Sequence, residues 1–309
     1  MIVTMPLPTV AAIIPVFNRV KIVIDALESV AAQSTPPAQL IVVDDGSTDH
    51  TGDQVQSWIA RGRRSFETLL VRQPNRGAAT ARNLGIKHAS VSDLIAFLDS
   101  DDLWPADYLK RATTCLAESA DAVAASCDWV SIDSDGSRKR LMRLGHIARR
   151  TTERFFLDDR PKISGTVCRR WAVNRVNGFE AASQPGEAHQ FLLRLSLIGK
   201  WCYMPGEPIV YRCVGAGGQD DGPYSRQYAQ RLLIRAQLSD DLVTREGGDR
   251  AISAHLWRPH LARMWYRAGR QSVKLGNIDA AWHCFLRATQ LQPWGIKGQW
   301  WRMRMALRV

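Results

Sequence analysis

The sequence predicts an α/β protein: a mostly parallel sheet flanked by helices, followed by an all-helical C-terminal extension. Three features predict it. Short apolar runs alternate with stretches of helical periodicity through the first hundred residues. Two of those runs end directly on paired aspartates, Asp44-Asp45 and Asp99-Ser100-Asp101-Asp102. Residues 225–308 carry helical patterning and no strand signal.

In chain order, residues 10–16 read as a fully buried strand whose apolar run contains Pro15. Residues 20–32 place Ile22, Ala26, Leu27 and Val30 at helical spacing. Residues 40–43 form a second apolar run, and Gly46-Ser47-Thr48-Asp49 supplies turn and helix-cap chemistry after it. Helix 51–60, strand 67–72, helix 78–89 and strand 94–98 continue the alternation, which argues for parallel strands with helices on both faces. Residues 122–132 read as a further strand closed by the turn residues 133–136. Residues 137–175 read as basic and irregular, followed by a helix near 186–198 and short strands near 201–204 and 208–212. The glycine-rich stretch 215–223 reads as a boundary loop, dividing the chain into domains 1–222 and 223–309.

The bulk numbers suit a globular protein with a large core: 309 residues, 45% hydrophobic and 23% charged. The net charge of +11 is uneven, since residues 226–309 hold 15 of the 41 Lys and Arg but 5 of the 30 Asp and Glu. A basic segment of this kind suits an anionic membrane surface; it carries no nucleic-acid-binding motif, and none is predicted as partner. Cys115, Cys127, Cys168, Cys202, Cys213 and Cys284 are scattered without a C-x-x-C pair and read as reduced thiols. With no cationic-apolar leader and no apolar run of about 18 residues, the reading is a cytoplasmic protein, peripheral at most to the inner face of the cell membrane.

The aspartates carry the chemistry. In an open parallel sheet, ligands bind beyond the carboxyl ends of the strands, where both acidic groups would meet. Clustered carboxylates repel one another unless a cation sits among them. A hard divalent ion, Mg²⁺ or Mn²⁺, takes oxygen ligands from one or two carboxylates plus substrate phosphates, and would neutralise a leaving diphosphate. One Asp-Asp pair could as well be a helix cap; two at equivalent strand ends favour a ligand site. Between them, residues 75–83 (NRGAATARN) combine a small-residue helix start with two arginines, a setting that attracts phosphate.

These residues resemble family 2 glycosyltransferases of the GT-A fold. The matching segments are Ile13 to Asn18, Ile41 to Asp49, Asn75 to Gly85 and Ile95 to Asp102, in order and spacing. The likeness is clear over residues 9–117 and weaker over 163–213. It implies a donor half of about 9–120 and an acceptor half of about 121–222. It implies a nucleotide-diphosphate-sugar donor, a glycan or lipid-linked acceptor, inversion at the anomeric carbon, and a place in cell-surface polysaccharide or glycolipid synthesis. By position, Pro15, Phe17, Asn18, Asp44 and Asp45 would hold the nucleoside, Arg82 would lie near the nucleotide, and Asp99 near the ribose and sugar. Asp101, with Asp102, would hold the metal.

Two departures stand out. The family's acidic run on the acceptor-side helix is here Gly186-Glu187-Ala188-His189-Gln190-Phe191. Inverting transfer needs a base, and Ala188 and Gln190 replace the usual acids. Three readings stay open: Glu187 or His189 serves as base, the base comes from elsewhere such as Asp158 or Asp159, or the chain is a catalytically reduced donor-binding or scaffold protein. The histidine usual after the Tyr-Arg pair is also missing, as Tyr211-Arg212 runs into Cys213-Val214. A sugar nucleotidyltransferase would need a glycine-rich loop after strand one, and Pro15 to Arg19 has no glycine.

In the extension, Trp265, Gly269, Ala281, Phe285, Ala288 and Pro293 resemble one tetratricopeptide repeat over residues 262–293, a helix hairpin turning at Gly276-Asn277. A single repeat either packs on the first domain or offers a partner-binding surface. Residues 294–309, rich in Trp and Arg, read as a short amphipathic helix, either docked or lying at a membrane interface.

Overall fold

A computed structural model describes residues 7–62, 64–89, 92–133, 136–145, 151–158, 161–183, 185–212 and 226–293. The stretch 215–223, Asp159, Cys213 and the segment 294–309 lie outside the described residues.

The first half alternates as its periodicity predicts: β1 (Val10–Val16), α1 (Val23–Ala31), β2 (Gln39–Asp44), α2 (Thr51–Arg61), β3 (Glu67–Arg72), α3 (Ala78–His88), β4 (Leu94–Phe97) and α4 (Tyr108–Glu118). Every residue of β1, β2 and β4 is buried, as expected of central strands covered on both faces, while the edge strand β3 is half-exposed. Val23, Ala26, Leu27 and Val30 turn one face of α1 inward. α3 lies tight on β1: a Cβ at Gly85 would collide with Ile13, so only glycine allows that approach.

The second half departs from expectation. β5 (Ala122–Ile132) matches its predicted span, but residues 137–175, which the sequence predicts to be irregular, hold β6 (Arg138–Met142), α5 (Thr151–Asp158), β7 (Thr166–Arg169) and α6 (Arg170–Arg175). The sheet order is β3-β2-β1-β4-β7-β5-β6. β7 is thus inserted in the middle, antiparallel to both β4 and β5. After α7 (Glu187–Ile198), the two short strands expected near 201–212 are one strand, β8 (Lys200–Arg212), paired parallel to β5 with irregularities near Ala122/Ala124 and Cys127/Trp129. The sheet is therefore mixed: β3-β2-β1-β4 and the β5–β8 pair are parallel, while β7 and β6 run antiparallel to their neighbours.

Two compact units result. One comprises residues 1–151, 159–182 and 187–214; the other comprises 152–158, 183–186 and 215–309. The second contains α8 (Arg226–Thr244), α9 (Gly248–Ala251), α10 (Ala254–Lys274) and α11 (Ile278–Leu291). α10 and α11 form the expected hairpin: Gly276 has φ 75°, and Asn277 caps α11 by accepting from Ala280 N at 3.1 Å. Gly269 lets the two helices close, since a Cβ there would lie 2.8 Å from Phe285 Cε1. Asp240 on α8 ties all three long helices, accepting from Trp265 Nε1 (2.9 Å) and from Arg287 Nε and Nη2 (2.6 Å each). No helix among the described residues is long and apolar enough to cross a membrane.

Candidate active site

The site lies where the parallel strands end. Val16 pairs with Asp44, and Ile13 with Phe97, so the segments after β1, β2 and β4 share one edge. Asp45 N donates to Val16 O at 2.9 Å and Leu98 N to Ile13 O at 3.0 Å, which carries the pairing one step beyond the strands.

After β2, both aspartates are buried, each 4% exposed. Asp44 Oδ1 accepts from Ser47 N at 3.0 Å, and Gly52 of α2 lies against its other oxygen. Asp45 Oδ1 accepts from Gln73 Nε2 (2.6 Å) and Arg76 N (2.9 Å), and Oδ2 from Gly77 N (2.7 Å). Asp45 therefore holds the glycine turn that launches α3, where Gly77 has φ 88°.

After β1, Pro15 is buried within the strand, while Phe17 is 41% exposed. Asn18 has φ 50°, and its Oδ1 accepts from Thr48 N at 2.8 Å. Asn is among the few non-glycine residues that adopt this conformation readily. Arg19, absent from the sequence prediction, reaches Asp101 Oδ2 at 3.9 Å.

After β4, the acidic cluster divides. Asp102 is 1% exposed with both oxygens engaged: Oδ2 accepts from Ser164 Oγ at 2.5 Å and Oδ1 from Arg212 N at 3.1 Å. Ser164 Oγ also accepts from Asp99 N at 3.1 Å, joining the segment before β7 to the cluster. Asp99 and Asp101 keep partly exposed side chains. Burial first, then the Asp99 carboxylate, pushes the Asp101 pKa above its ordinary value. Burial, Asp99 and Asp101 together push Asp102 well above. Such crowding of oxygen donors fits a hard divalent cation at Asp101 and Asp99, whereas Asp102 already serves Ser164 and Arg212. Among the described residues no three His, Cys, Asp or Glu side chains form a ready metal cage.

The contact that joins the two halves of this unit was not legible in the sequence. Arg82, 4% exposed on α3, donates from Nη2 to Asp99 Oδ1 at 2.7 Å and from Nη1 to Glu187 Oε1 at 3.0 Å. Burial works against its charge, but Asp99 and Glu187 outweigh it, so its pKa stands above the ordinary value. Glu187 opens α7, and its carboxylate is brought to the strand edge by this bridge. His189 stands two residues further, about 200° around the helix, and is half-buried. Gln190 is buried and donates to Glu180 Oε2 at 2.6 Å. Asp158 closes α5.

The sequence profile of glycosyl transferase family 2 matches residues 11–181, more than half of the chain and every strand-end segment described above. The chain belongs to glycosyl transferase family 2. An uncharacterized glycosyltransferase of Rickettsia felis is 42% identical over 101 residues, 33% of this chain and 16% of that protein. The succinoglycan biosynthesis protein ExoW of Rhizobium meliloti is 39% identical over 108 residues, 35% of this chain and 32% of that protein. The chain thus spans less than a third of the length of either relative. Among solved structures, the mannosyltransferase PcManGT of Pyrobaculum calidifontis, in complex with GDP-Man and Mn²⁺, superimposes with a TM-score of 0.61 at 19% identity, covering 97% of this chain and 85% of that one. TarS 1–349 of S. aureus, in complex with UDP-GlcNAc, gives 0.58 at 14% identity, covering 92% of each chain. These likenesses establish the GT-A fold, with its helical extension.

Proposed function

We propose that this chain transfers a sugar from a nucleotide-diphosphate sugar to the hydroxyl of a glycan or lipid-linked acceptor, with inversion at the anomeric carbon, in polysaccharide or glycolipid synthesis. The observation that carries the proposal is the meeting of Asp99, from the donor-side strand edge, with Glu187, from the acceptor-side helix, on one guanidinium. The relatives support the class: ExoW is a succinoglycan biosynthesis protein, TarS 1–349 is seen with UDP-GlcNAc, and PcManGT is seen with GDP-Man and Mn²⁺.

In this reading the exposed Phe17 ring and Asn18 face the nucleoside, with Pro15, Asp44 and Asp45 shaping the floor beneath it. Asp99 bounds the ribose and sugar end, and the buried Arg82 stands behind it. Asp101, with Asp99 beside it and Asp102 behind, would hold Mg²⁺ or Mn²⁺, which would supply positive charge beside the departing diphosphate. The acceptor oxygen bonds to the anomeric carbon as the bond from that carbon to the diphosphate oxygen breaks. The bonding pair leaves with the nucleoside diphosphate, and the acceptor's proton passes to Glu187. Glu187 is preferred to His189 because it is the member of the pair joined to Arg82. The same proposal assigns residues 1–222 to the transferase and 223–309 to a basic extension. It locates the protein in the cytoplasm, with the basic segment drawn to the inner membrane face.

The buried Gln190, held by Glu180 and unable to act as a base, motivates a second reading in which donor is bound but not transferred. Thermal shift and nucleotide release with UDP-GlcNAc and GDP-mannose, each with and without Mn²⁺, separate the two. Donor-dependent stabilisation with nucleotide release supports transfer. Stabilisation without release supports the second reading, and neither signal with any nucleotide sugar refutes both. D101A should abolish the Mn²⁺-dependent part of the stabilisation. E187Q should lower release about 10²- to 10⁴-fold while the donor shift persists; full activity in E187Q would move the base to another group.

A further inference from the structure

We propose that Arg82 is a positioning residue, which sets the Glu187 carboxylate against the sugar-bearing end of the donor by tying the first turn of α7 to Asp99. The inference rests on the transfer reading above and adds a role for a residue that the sequence placed at the nucleotide.

The body of α7 is anchored apart from Arg82: Gln190 and Arg194 reach Glu180 Oε2 at 2.6 and 3.9 Å, and an apolar contact lies beside them. Phe191 stacks on Phe179 with ring centroids 4.1 Å apart, and both meet Phe97 edge-on at 5.8 and 5.1 Å. This apolar triad fixes where the helix lies. It does not fix where the carboxylate at the helix start points. Arg82 holds it: the guanidinium stands over the Phe179 ring at 5.2 Å and reaches the two carboxylates with its two terminal nitrogens. The small residues Ala79 and Ala81 are buried beside it on α3, which lets the helix bring this side chain down to the strand edge.

Packing alone gives no reason for a charged side chain here. Arg82 is buried, and among the described residues its Nε has no hydrogen-bond partner, so the site carries an unfavourable feature that an apolar residue would avoid. What the guanidinium supplies is geometry: a rigid planar fork that addresses two acceptors at once, where an ammonium is a single point charge. Asp99 and Glu187 lie 88 positions apart in the chain, and on this fork their oxygens are held at 2.7 and 3.0 Å from adjacent nitrogens. A base held in that way meets the acceptor hydroxyl in one orientation, and misplacement by about 1 Å can cost about 100-fold in rate.

The test uses the full chain, with nucleotide release from UDP-GlcNAc or GDP-mannose in Mn²⁺ and water as acceptor. R82A should lower kcat about 100-fold, with the donor KM little changed. Added guanidinium ion should restore part of the rate by refilling the cavity, and R82K should recover little. A kcat equal to wild type in R82A, or a loss confined to donor KM and insensitive to guanidinium, would overturn the proposal. If wild type itself releases no nucleotide, the transfer reading fails separately, and amide exchange decides the positioning role. R82K, which keeps the charge, should speed exchange at residues 191–194, whose N–H groups close the first turn of α7 on residues 187–190; unchanged exchange there would overturn it.

Discussion

Replacing Asp45 by asparagine keeps the shape of the side chain and removes its charge. The carboxylate accepts three hydrogen bonds, from Gln73 Nε2 at 2.6 Å, Arg76 N at 2.9 Å and Gly77 N at 2.7 Å, at a position 4% exposed. The asparagine oxygen can serve Gln73 and Arg76, which leaves its amide group facing the Gly77 N–H, donor against donor. One charge-assisted bond is then lost, at about 1.5–3 kcal/mol, and two become neutral, at a few tenths each or more. The expected loss is about 2–4 kcal/mol. Spread over the α/β unit, that lowers Tm by about 5–15 °C. If the loss is local, amide exchange at Arg76 and Gly77 speeds up about 30- to 1,000-fold. Urea denaturation and hydrogen exchange of D45N measure both. A loss below about 0.5 kcal/mol with unchanged exchange at those two amides would show that water takes over the carboxylate's work. The account of Asp45 as the clamp for the start of α3 would then be wrong.

Two further predictions concern stability elsewhere. D240A leaves the indole N–H of the buried Trp265 without its acceptor and releases Arg287. Because Arg287 is about a third exposed, the pair is partly screened, and the expected cost is about 2–3 kcal/mol. Faster amide exchange across α8, α10 and α11 reports it, and exchange matching wild type would count against the assignment. On the alkaline side, burial pushes the Cys127 thiol up to about 12, and Cys168 is raised by the same cause. Folded chains keep these protons where unfolded chains release them, so the contribution is intact below about pH 8.5 and is lost as pH rises towards 12. Each thiol should cost up to about 1.4 kcal/mol per pH unit in that window. Tm followed from neutral pH to about pH 10 should fall less steeply in C127A than in wild type, and equal slopes would refute the linkage.

Much of the parallel half was readable along the chain because its signals are local. Burial on both faces makes β1, β4 and the 40–43 centre of β2 uninterrupted apolar runs, and Ala26, Leu27 and Val30 show the inward face of α1, though its first inward residue is Val23 and not Ile22, which precedes the helix. The acids at the ends of β2 and β4 are adjacent to their strands, so their shared edge followed from the parallel arrangement. The α10–α11 hairpin was equally visible, because Gly276, Asn277 and the small residues at the helix contact act within a few turns of one another.

Tertiary structure decided what those residues face. β7 is four residues long, Thr166–Arg169, too short to show a period, and only its pairing with β4 and β5 makes it a central strand. Ser164 bonds to Asp102 across 62 positions, Arg82 to Glu187 across 105, and Asp240 to Arg287 across 47. Asp102, grouped by sequence with Asp101, is separated from it by burial against Ser164 and Arg212. The sequence by itself determined which segments become strands and helices and which acids stand at the strand ends, because periodicity and adjacency are properties of neighbouring residues. Which acids stay open and which arginine binds them depends on where β7 and α7 pack, and no local pattern specifies a partner a hundred residues away.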